Sequence, residues 1–286
     1  MSVKIIADST CDLSEELLKK YDISMLPLHI VLGDKEYKDI VEIKPDEIYQ
    51  WSNEHNDAPK TSAAAISDAI ELFQTYGQTY DEIVCFSISG QMSTTVNVLR
   101  MAAEELDMED RVFVIDSENL STGIGQLVIE AAIKAKNGVC GKEIAEFINQ
   151  LKPRVRASFV VDTLTFLHRG GRCSGVATLA GSALKLHPRI DVKQGTMNPG
   201  KKYRGKMSSV ILNYVKDLEP SLRNAETDRV FITHSGCNDT LIQSVLQEIK
   251  NLQLFDEILI TRAGGVISSH CGPGTLGVIF IEKEHE

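Results

Sequence analysis

Short apolar runs alternate with amphipathic stretches through the first half of the chain. Residues 3–7, 25–32, 83–86 and 111–115 are near-continuous apolar runs, short enough for buried strands. Between them, residues 14–21, 45–55, 66–76, 96–106, 125–136 and 142–151 suit helices with one buried side. Pro45 fits the first turn of its helix. Asp12 and Glu15 have capping-box spacing at the first helix, and Gly138 stands where a helix would stop. After the turn at Gly33-Asp34, residues 36–40 form a short extension. Strands alternating with helices, each strand a buried run, predict a mostly parallel sheet covered on both faces.

The pattern changes after Lys152-Pro153. A strand over 158–161 precedes a short helix over 164–168 that ends at Gly170-Gly171. Residues 176–186 are apolar and small, which predicts a buried helix. Residues 190–192 and 201–203 flank a polar turn with Gly195 and Asn198-Pro199-Gly200, a β-hairpin pattern. Helices over 208–218 and 240–252 alternate with strands over 230–233 and 257–261, and residues 264–281 turn from glycine-rich to β-branched. The fold class expected is α/β with two α/β domains. Residues 1–155 form the N-terminal, mostly parallel one, and 156–286 a C-terminal mixed sheet with helices.

A length of 286 residues suits two domains, and 43% hydrophobic residues excludes general disorder. The formal net charge of -10 argues against nucleic acid and against an anionic membrane surface as partners. No run approaches the roughly 20 apolar residues of a membrane span, and the first ten residues do not read as a signal peptide. No stable membrane insertion and a cytoplasmic location are therefore expected. The six cysteines are scattered without a CxxC pair, as expected of reduced thiols. His234 with Cys237 and His270 with Cys271 lack the paired spacing of a zinc site, so no metal is expected.

Residues 81–106 hold the densest candidate chemistry. The strand over 83–86 turns into a helix through Ser87, Ser89, Gly90, Ser93, Thr94 and Thr95. Unpaired N–H groups and the helix dipole make such a turn a potential anion cradle. Hydroxyls before a helix also serve as plain N-caps. His168-Arg169-Gly170-Gly171-Arg172 sets two arginines beside glycines, fit either to grip a carboxylate or phosphate or to close a helix. Residues 201–206 form the one dense basic run, with Arg204 inside it. That run is a solvated rim or a docking point for an acidic partner. His270 precedes a glycine-rich turn and is either structural or a proton carrier. GxSxG and GxxxxGK[ST] are absent, and Gly123-Ile124-Gly125 lacks the context of a dinucleotide fingerprint.

Taken in order, several stretches resemble the DegV family of bacterial fatty-acid-binding proteins. They are Asp8-Ser9-Thr10, Thr61-Ser62, the loop from Ser89 to Thr95, Asp116-Ser117 and the segment from Asp162 to Arg172. Arg204-Gly205-Lys206 and the closing His270-x-Gly-Pro-Gly complete the match. The resemblance implies a long-chain, palmitate-like fatty acid held in a tunnel between the two domains, with no catalysis and no cofactor. It places the carboxylate at Thr61 and Ser93, with Ser62, Thr94 and His270 nearby. It implies a fatty-acid kinase as partner, feeding phospholipid synthesis, with Arg172 and Arg204 facing the phosphate or the kinase. Residues 176–186 would line the tunnel.

The chain departs from the family pattern at Ala63-Ala64-Ala65, at Gly90, at Thr94 where a glycine is usual, and at His187-Pro188. A β-branched residue tolerates positive φ poorly, so the loop around Thr94 is expected to be shaped differently. Two alternatives stand beside the carrier. One is an enzyme for a small anionic substrate that uses His270 with Ser93 or Arg172. The other is a regulatory protein with a vestigial pocket, marked by a solidly packed interdomain region.

Overall fold

A computed structural model describes residues 1–173 and 186–284. The chain opens with β1 (Val3–Asp8), a 3-10 turn over Ser9–Cys11 and α1 (Glu15–Lys20). Then come β2 (Ile23–Leu26), β3 (His29–Leu32), β4 (Lys35–Lys38) and α2 (Pro45–His55). β5 (Lys60–Ser62), α3 (Ile66–Gly77), β6 (Glu82–Ser87) and α4 (Thr95–Glu105) follow. β7 (Val112–Asp116), α5 (Thr122–Lys136) and α6 (Gly141–Leu151) complete the first half. A 3-10 turn over Lys152–Arg154 leads to β8 (Val155–Val160) and α7 (Thr165–Gly170). β9 (Leu186–Lys193), β10 (Thr196–Arg204), α8 (Met207–Leu222) and β11 (Arg229–His234) come next. The described chain closes with α9 (Asp239–Asn251), β12 (Glu257–Arg262), α10 (Gly265–Cys271) and β13 (Leu276–Ile281).

The strands make three sheets. One is fully parallel in the order β2-β1-β6-β7. A mixed sheet runs β10-β9-β8-β13-β11-β12. A small antiparallel sheet runs β4-β3-β5. In the parallel sheet the loops after β1, β6 and β7 leave along one edge, where open parallel sheets place their ligands. Strand alternation gives the mixed sheet two different faces. Val160, Val278 and Phe280 pack under α8 and α9, whereas Ala157, Phe159 and Ile279 join the core of the N-terminal half. α5 lies between the sheets, against β1 and β6 on one side and β8 and β13 on the other. The two-part α/β architecture expected from the sequence is the one observed.

Four local expectations are corrected. Residues 25–32 are not one strand: the chain leaves the parallel sheet after Leu26 and enters the antiparallel one at His29. Pro27, which has no N–H to give a ladder, stands at the break. Lys60–Ser62 is a strand of that third sheet, which the sequence pattern did not anticipate. The cap of α1 is Ser14, whose Oγ accepts from Leu17 N at 3.3 Å, while Asp12 is buried elsewhere. The hairpin turns at Gln194-Gly195, with φ of 48° and 76°, the positive pair that tight hairpins favour. Asn198-Pro199-Gly200 lies inside β10, where the register shifts between Pro199 and Lys202. The helix expected over 176–186 falls outside the described residues, except Leu186, which opens β9.

Candidate functional site

The edge loops of the parallel sheet face the inner face of the mixed sheet across a cavity of about 520 Å³. Its apolar walls include Leu28, Ile88, Met92, Phe159, Leu167 and Ile279. Thr61, Ser62, Ser93, Thr94, Arg172 and His270 all line it, and Arg204 does not. A cavity of this size excludes a solidly packed interdomain region. No Asp or Glu is among the described lining residues, although the chain carries 40 of them.

His270 is positioned by α10, and α10 is anchored at its start by two buried carboxylates. Gly264 N donates to Asp12 Oδ1 and Gly265 N to Asp39 Oδ1, both at 2.8 Å. A Cβ on Gly265 would stand 2.5 Å from Ile30 Cδ1 and 2.6 Å from Asp39 Oδ1, so the helix can approach this closely only with glycine there. At the other end of the helix, His270 Nε2 is 2.8 Å from Thr61 Oγ1, which β5 delivers. Its Nδ1 is buried and has no hydrogen-bond partner among the described residues. A Cβ on Gly170 would sit 2.3 Å from that Nδ1, so the glycine at the end of α7 is what makes room for the ring. Burial, reinforced by the nearby Arg172 guanidinium, pushes the His270 pKa down to about 4. The ring is therefore neutral at pH near 7, and one of its nitrogens has unused hydrogen-bonding capacity.

The serine loop sorts its hydroxyls by burial. Ser87 Oγ donates to Ile88 O at 2.9 Å and Ser89 Oγ to Gly195 O at 2.7 Å, both fully inside. Ser93 is half-buried, with its Oγ 2.9 Å from Thr95 Oγ1 and accepting from Thr95 N at 3.3 Å. It caps α4 and lines the cavity as well. Thr94 is exposed with φ of -86°. The loop therefore has no left-handed residue there, and a β-branched side chain fits without strain. Gly90 has a separate cause: its N–H donates to the Asp116 carboxylate at 3.1 Å, and a Cβ would meet Asp116 Oδ2 at 2.8 Å.

The other candidates are more peripheral. Ser62 is exposed and donates to Glu36 Oε1 at 3.3 Å. Arg172 is exposed at the rim, held by a 2.8 Å bond from Nη1 to Gly170 O. Arg204 is exposed on β10, the edge strand of the mixed sheet, away from the cavity. His270 and Ser93 each hydrogen-bond elsewhere, and no hydrogen bond joins them. The nucleophile–base pair required by the His270–Ser93 enzyme alternative is therefore not formed. Among the described residues no cluster of His, Cys, Asp or Glu could hold a metal, and no helix is long and apolar enough to cross a membrane.

Ser121, Thr233 and Ser235, which sequence reasoning did not single out, line the cavity, and so does His234, which it weighed only as a lone histidine beside Cys237. Behind them lie Asp8, Asp12 and Asp39, all buried. Asp8 accepts from Ile88 N at 2.8 Å and from Thr10. Asp12 is bonded by Ser121 Oγ at 2.5 Å, and Asp39 by Ser9 Oγ at 2.8 Å. Burial pushes the pKa of Asp8 up to about 6 and of Asp12 up to about 8, and raises that of Asp39. The signal available was the doublet Gly264-Gly265, which marks a backbone that must come close to something.

The DegV family model matches residues 2–283. A DegV domain-containing protein of Clostridium acetobutylicum is 32% identical over 283 residues, covering 98% of this chain and 99% of its own length. A solved DegV family protein of Thermus thermophilus, described for its fatty acid binding, matches with a TM-score of 0.91 at 29% identity, over 99% of this chain and 100% of that one. A stearic-acid-binding protein of Eubacterium ventriosum matches with a TM-score of 0.84 at 28% identity, over 98% of each chain. Both solved relatives are described by the fatty acids that they bind.

Proposed function

The chain belongs to the DegV family, and from that premise we propose that it holds a long-chain, palmitate-like fatty acid in the 520 Å³ cavity. The observation that carries this reading is the sign and polarity of the lining. An acidic protein keeps every described carboxylate out of the wall and leaves Arg172, a neutral His270 and hydroxyls there. The carboxylate end takes charge-assisted bonds from Thr61 and Ser93. The free nitrogen capacity of His270 and the Arg172 charge lie on the same wall, through Thr61 and Gly170. Ser62 and Thr94 stand at the outer margin. The acyl chain lies along the apolar walls, each buried methylene contributing about 0.8 kcal/mol.

The same reading has the bound carboxylate presented to a separate fatty-acid kinase, with the acyl phosphate going on to phospholipid synthesis. Two placements support it. Arg172 is exposed at the rim, where an incoming phosphate would need a cation, and Lys201, Lys202, Arg204 and Lys206 are exposed on and beside an edge strand.

The test is direct. Protein purified from cells is expected to release a fatty acid on solvent extraction, identified by mass spectrometry, and the stripped protein to take up palmitate at one equivalent. A lipid-free extract together with no uptake would overturn the reading.

A further inference from the structure

Fatty-acid binding explains the rim, but it leaves a second polar station on the cavity wall unused. Ser121 and Thr233 both line the cavity and are almost entirely buried. They are neighbours through Thr122, whose Oγ1 is 2.7 Å from Thr233 Oγ1. An unsubstituted hydrocarbon chain gives neither of them anything to bond.

The station is tied to the end of α10 opposite His270. Ser121 Oγ bonds Asp12 Oδ2, and Asp12 Oδ1 accepts from Gly264 N, at the start of α10. His270 is in the last turn of the same helix. Six residues of helical rise separate the two, about 9 Å. Val266 and Ile267, which lie between, line the cavity. The station therefore meets the middle of a chain whose carboxylate is at the rim.

The hydroxyls at this station have capacity to spare. Thr233 Oγ1 is bonded to Thr122 Oγ1 at 2.7 Å and to Thr261 Oγ1 at 3.0 Å. Three hydroxyls bring three protons to these two bonds, so when Thr122 and Thr261 both donate, the Thr233 O–H is left over and is the one at the cavity wall. Ser121 shares one proton position with Asp12. When Asp12 is ionised, Ser121 donates to it and keeps a lone pair free. When Asp12 is protonated, it donates to Ser121 and the Ser121 O–H is free. Ser121 also holds a backbone, φ 54° and ψ -145°, near the region that glycine otherwise occupies. A chain hydroxyl, being both donor and acceptor, satisfies the pair in either protonation state.

Resting on the fatty-acid reading above, we propose that Ser121 and Thr233 form a specificity site for a hydroxyl group near the middle of the acyl chain, so that the ligand class is a hydroxylated long-chain fatty acid. The experiment is a competition, read by native mass spectrometry, between stearate and stearate carrying one mid-chain hydroxyl. The wild-type protein is expected to bind the hydroxylated chain about fivefold to tenfold more tightly, the effect of one buried hydrogen bond. The double variant Ser121→Ala with Thr233→Val is expected to lose that preference, so that it binds the two lipids with equal affinity, whatever its stearate affinity becomes. Equal affinities in the wild type, or a preference that survives in the double variant, overturn the proposal and leave fatty-acid binding standing. Binding of neither lipid overturns the cavity reading itself, and this proposal with it. Should the double variant not fold, moving the hydroxyl to the chain terminus decides the matter on the wild-type protein alone. A preference that persists there is not made by this station.

Discussion

Two polar regions meet at α10, and they are built on opposite terms. At the start of the helix, Asp8, Asp12 and Asp39 are buried and amply bonded. Their oxygens receive backbone N–H groups of Thr10, Ile88, Gly264 and Gly265 and hydroxyls of Ser9, Thr10 and Ser121. At its end, Thr61, Ser93, Arg172 and His270 are half-buried or exposed, and His270 Nδ1 has no partner among the described residues. Both regions use residues that a sequence reader would mark as chemical. What separates them is saturation: bonds that are complete inside the protein hold a backbone in place, and bonds left incomplete at a cavity wall wait for a ligand. The acid cluster is thus the mounting, and the rim is the candidate site mounted on it.

The largest expected effect falls on the mounting and shows as pH dependence. Asp12 titrates at about 8 in the fold, against 3.8 as its ordinary value. A raised acid pKa gives stability that is complete below the ordinary value and is lost as pH rises through the folded one. His270 runs the other way: lowered from 6.5 to about 4, it contributes stability that is present above 6.5 and lost as pH falls. Between about pH 6.5 and about pH 8, His270 and Asp8 have finished titrating, and Asp12 should cost about 2 kcal/mol of unfolding free energy. Asp12→Asn keeps an acceptor for Gly264 N and offers Ser121 a donor, as the protonated acid does. Urea titrations are expected to show the wild type weakening across that window more steeply than the variant, which keeps only the raised Asp39 of the cluster to titrate there. Parallel curves would mean that Asp12 is ionised in the fold and that the two regions are built on similar terms.

The next effect should fall on the rim. Ser93→Ala removes a donor from a carboxylate that is largely shut away from water, and fatty-acid affinity is expected to drop by about 1–2 kcal/mol. Ser93 also caps α4, so the variant loses about 0.5–2 kcal/mol of fold stability. Calorimetric titration of the folded variant separates the two, because a lost cap lowers the melting temperature of free and loaded protein alike. Unchanged affinity with a lowered melting temperature would return Ser93 to the mounting, as a cap and nothing more.

The mounting and the rim were not equally legible in the sequence. The alternation of buried runs with amphipathic helices gave the parallel sheet, and the hairpin and the later strands gave the mixed one, because burial on two faces leaves a direct imprint on residue pattern. The three-stranded sheet was missed because its strands are only three or four residues long and partly exposed. Thr61, Ser93, Arg172 and His270, which line one cavity, were singled out through spaced motifs, not through any local rule; each alone reads as a cap or a turn. Asp12 was misread as a cap because Glu15 stands three residues on, although the chain turns through φ of 53° at Asp12 and takes the carboxylate inward. Ser121 and Thr233 left no trace, since a hydroxyl's value here depends on partners more than a hundred residues away.

The smallest effect is expected at Arg172, and it probes the boundary of the rim. Its guanidinium is exposed, bonded to Gly170 O and not to His270. Water screens a charge so placed, so its attraction for a bound carboxylate is worth little, on the order of 0–1 kcal/mol. Arg172→Ala should therefore change fatty-acid affinity by no more than about fivefold by titration, since 1.4 kcal/mol corresponds to about tenfold. Removing the charge should also relieve part of the downward pressure on His270, whose pKa is lowered by burial first and by Arg172 second. An NMR titration of the His270 ring is expected to move up slightly and to stay below 6.5, the ordinary value. A large loss of affinity would place Arg172 against the carboxylate itself. A His270 pKa that returned to the ordinary value would mean that charge, not burial, keeps the ring neutral, and the rim would then be an electrostatic site rather than a desolvated one.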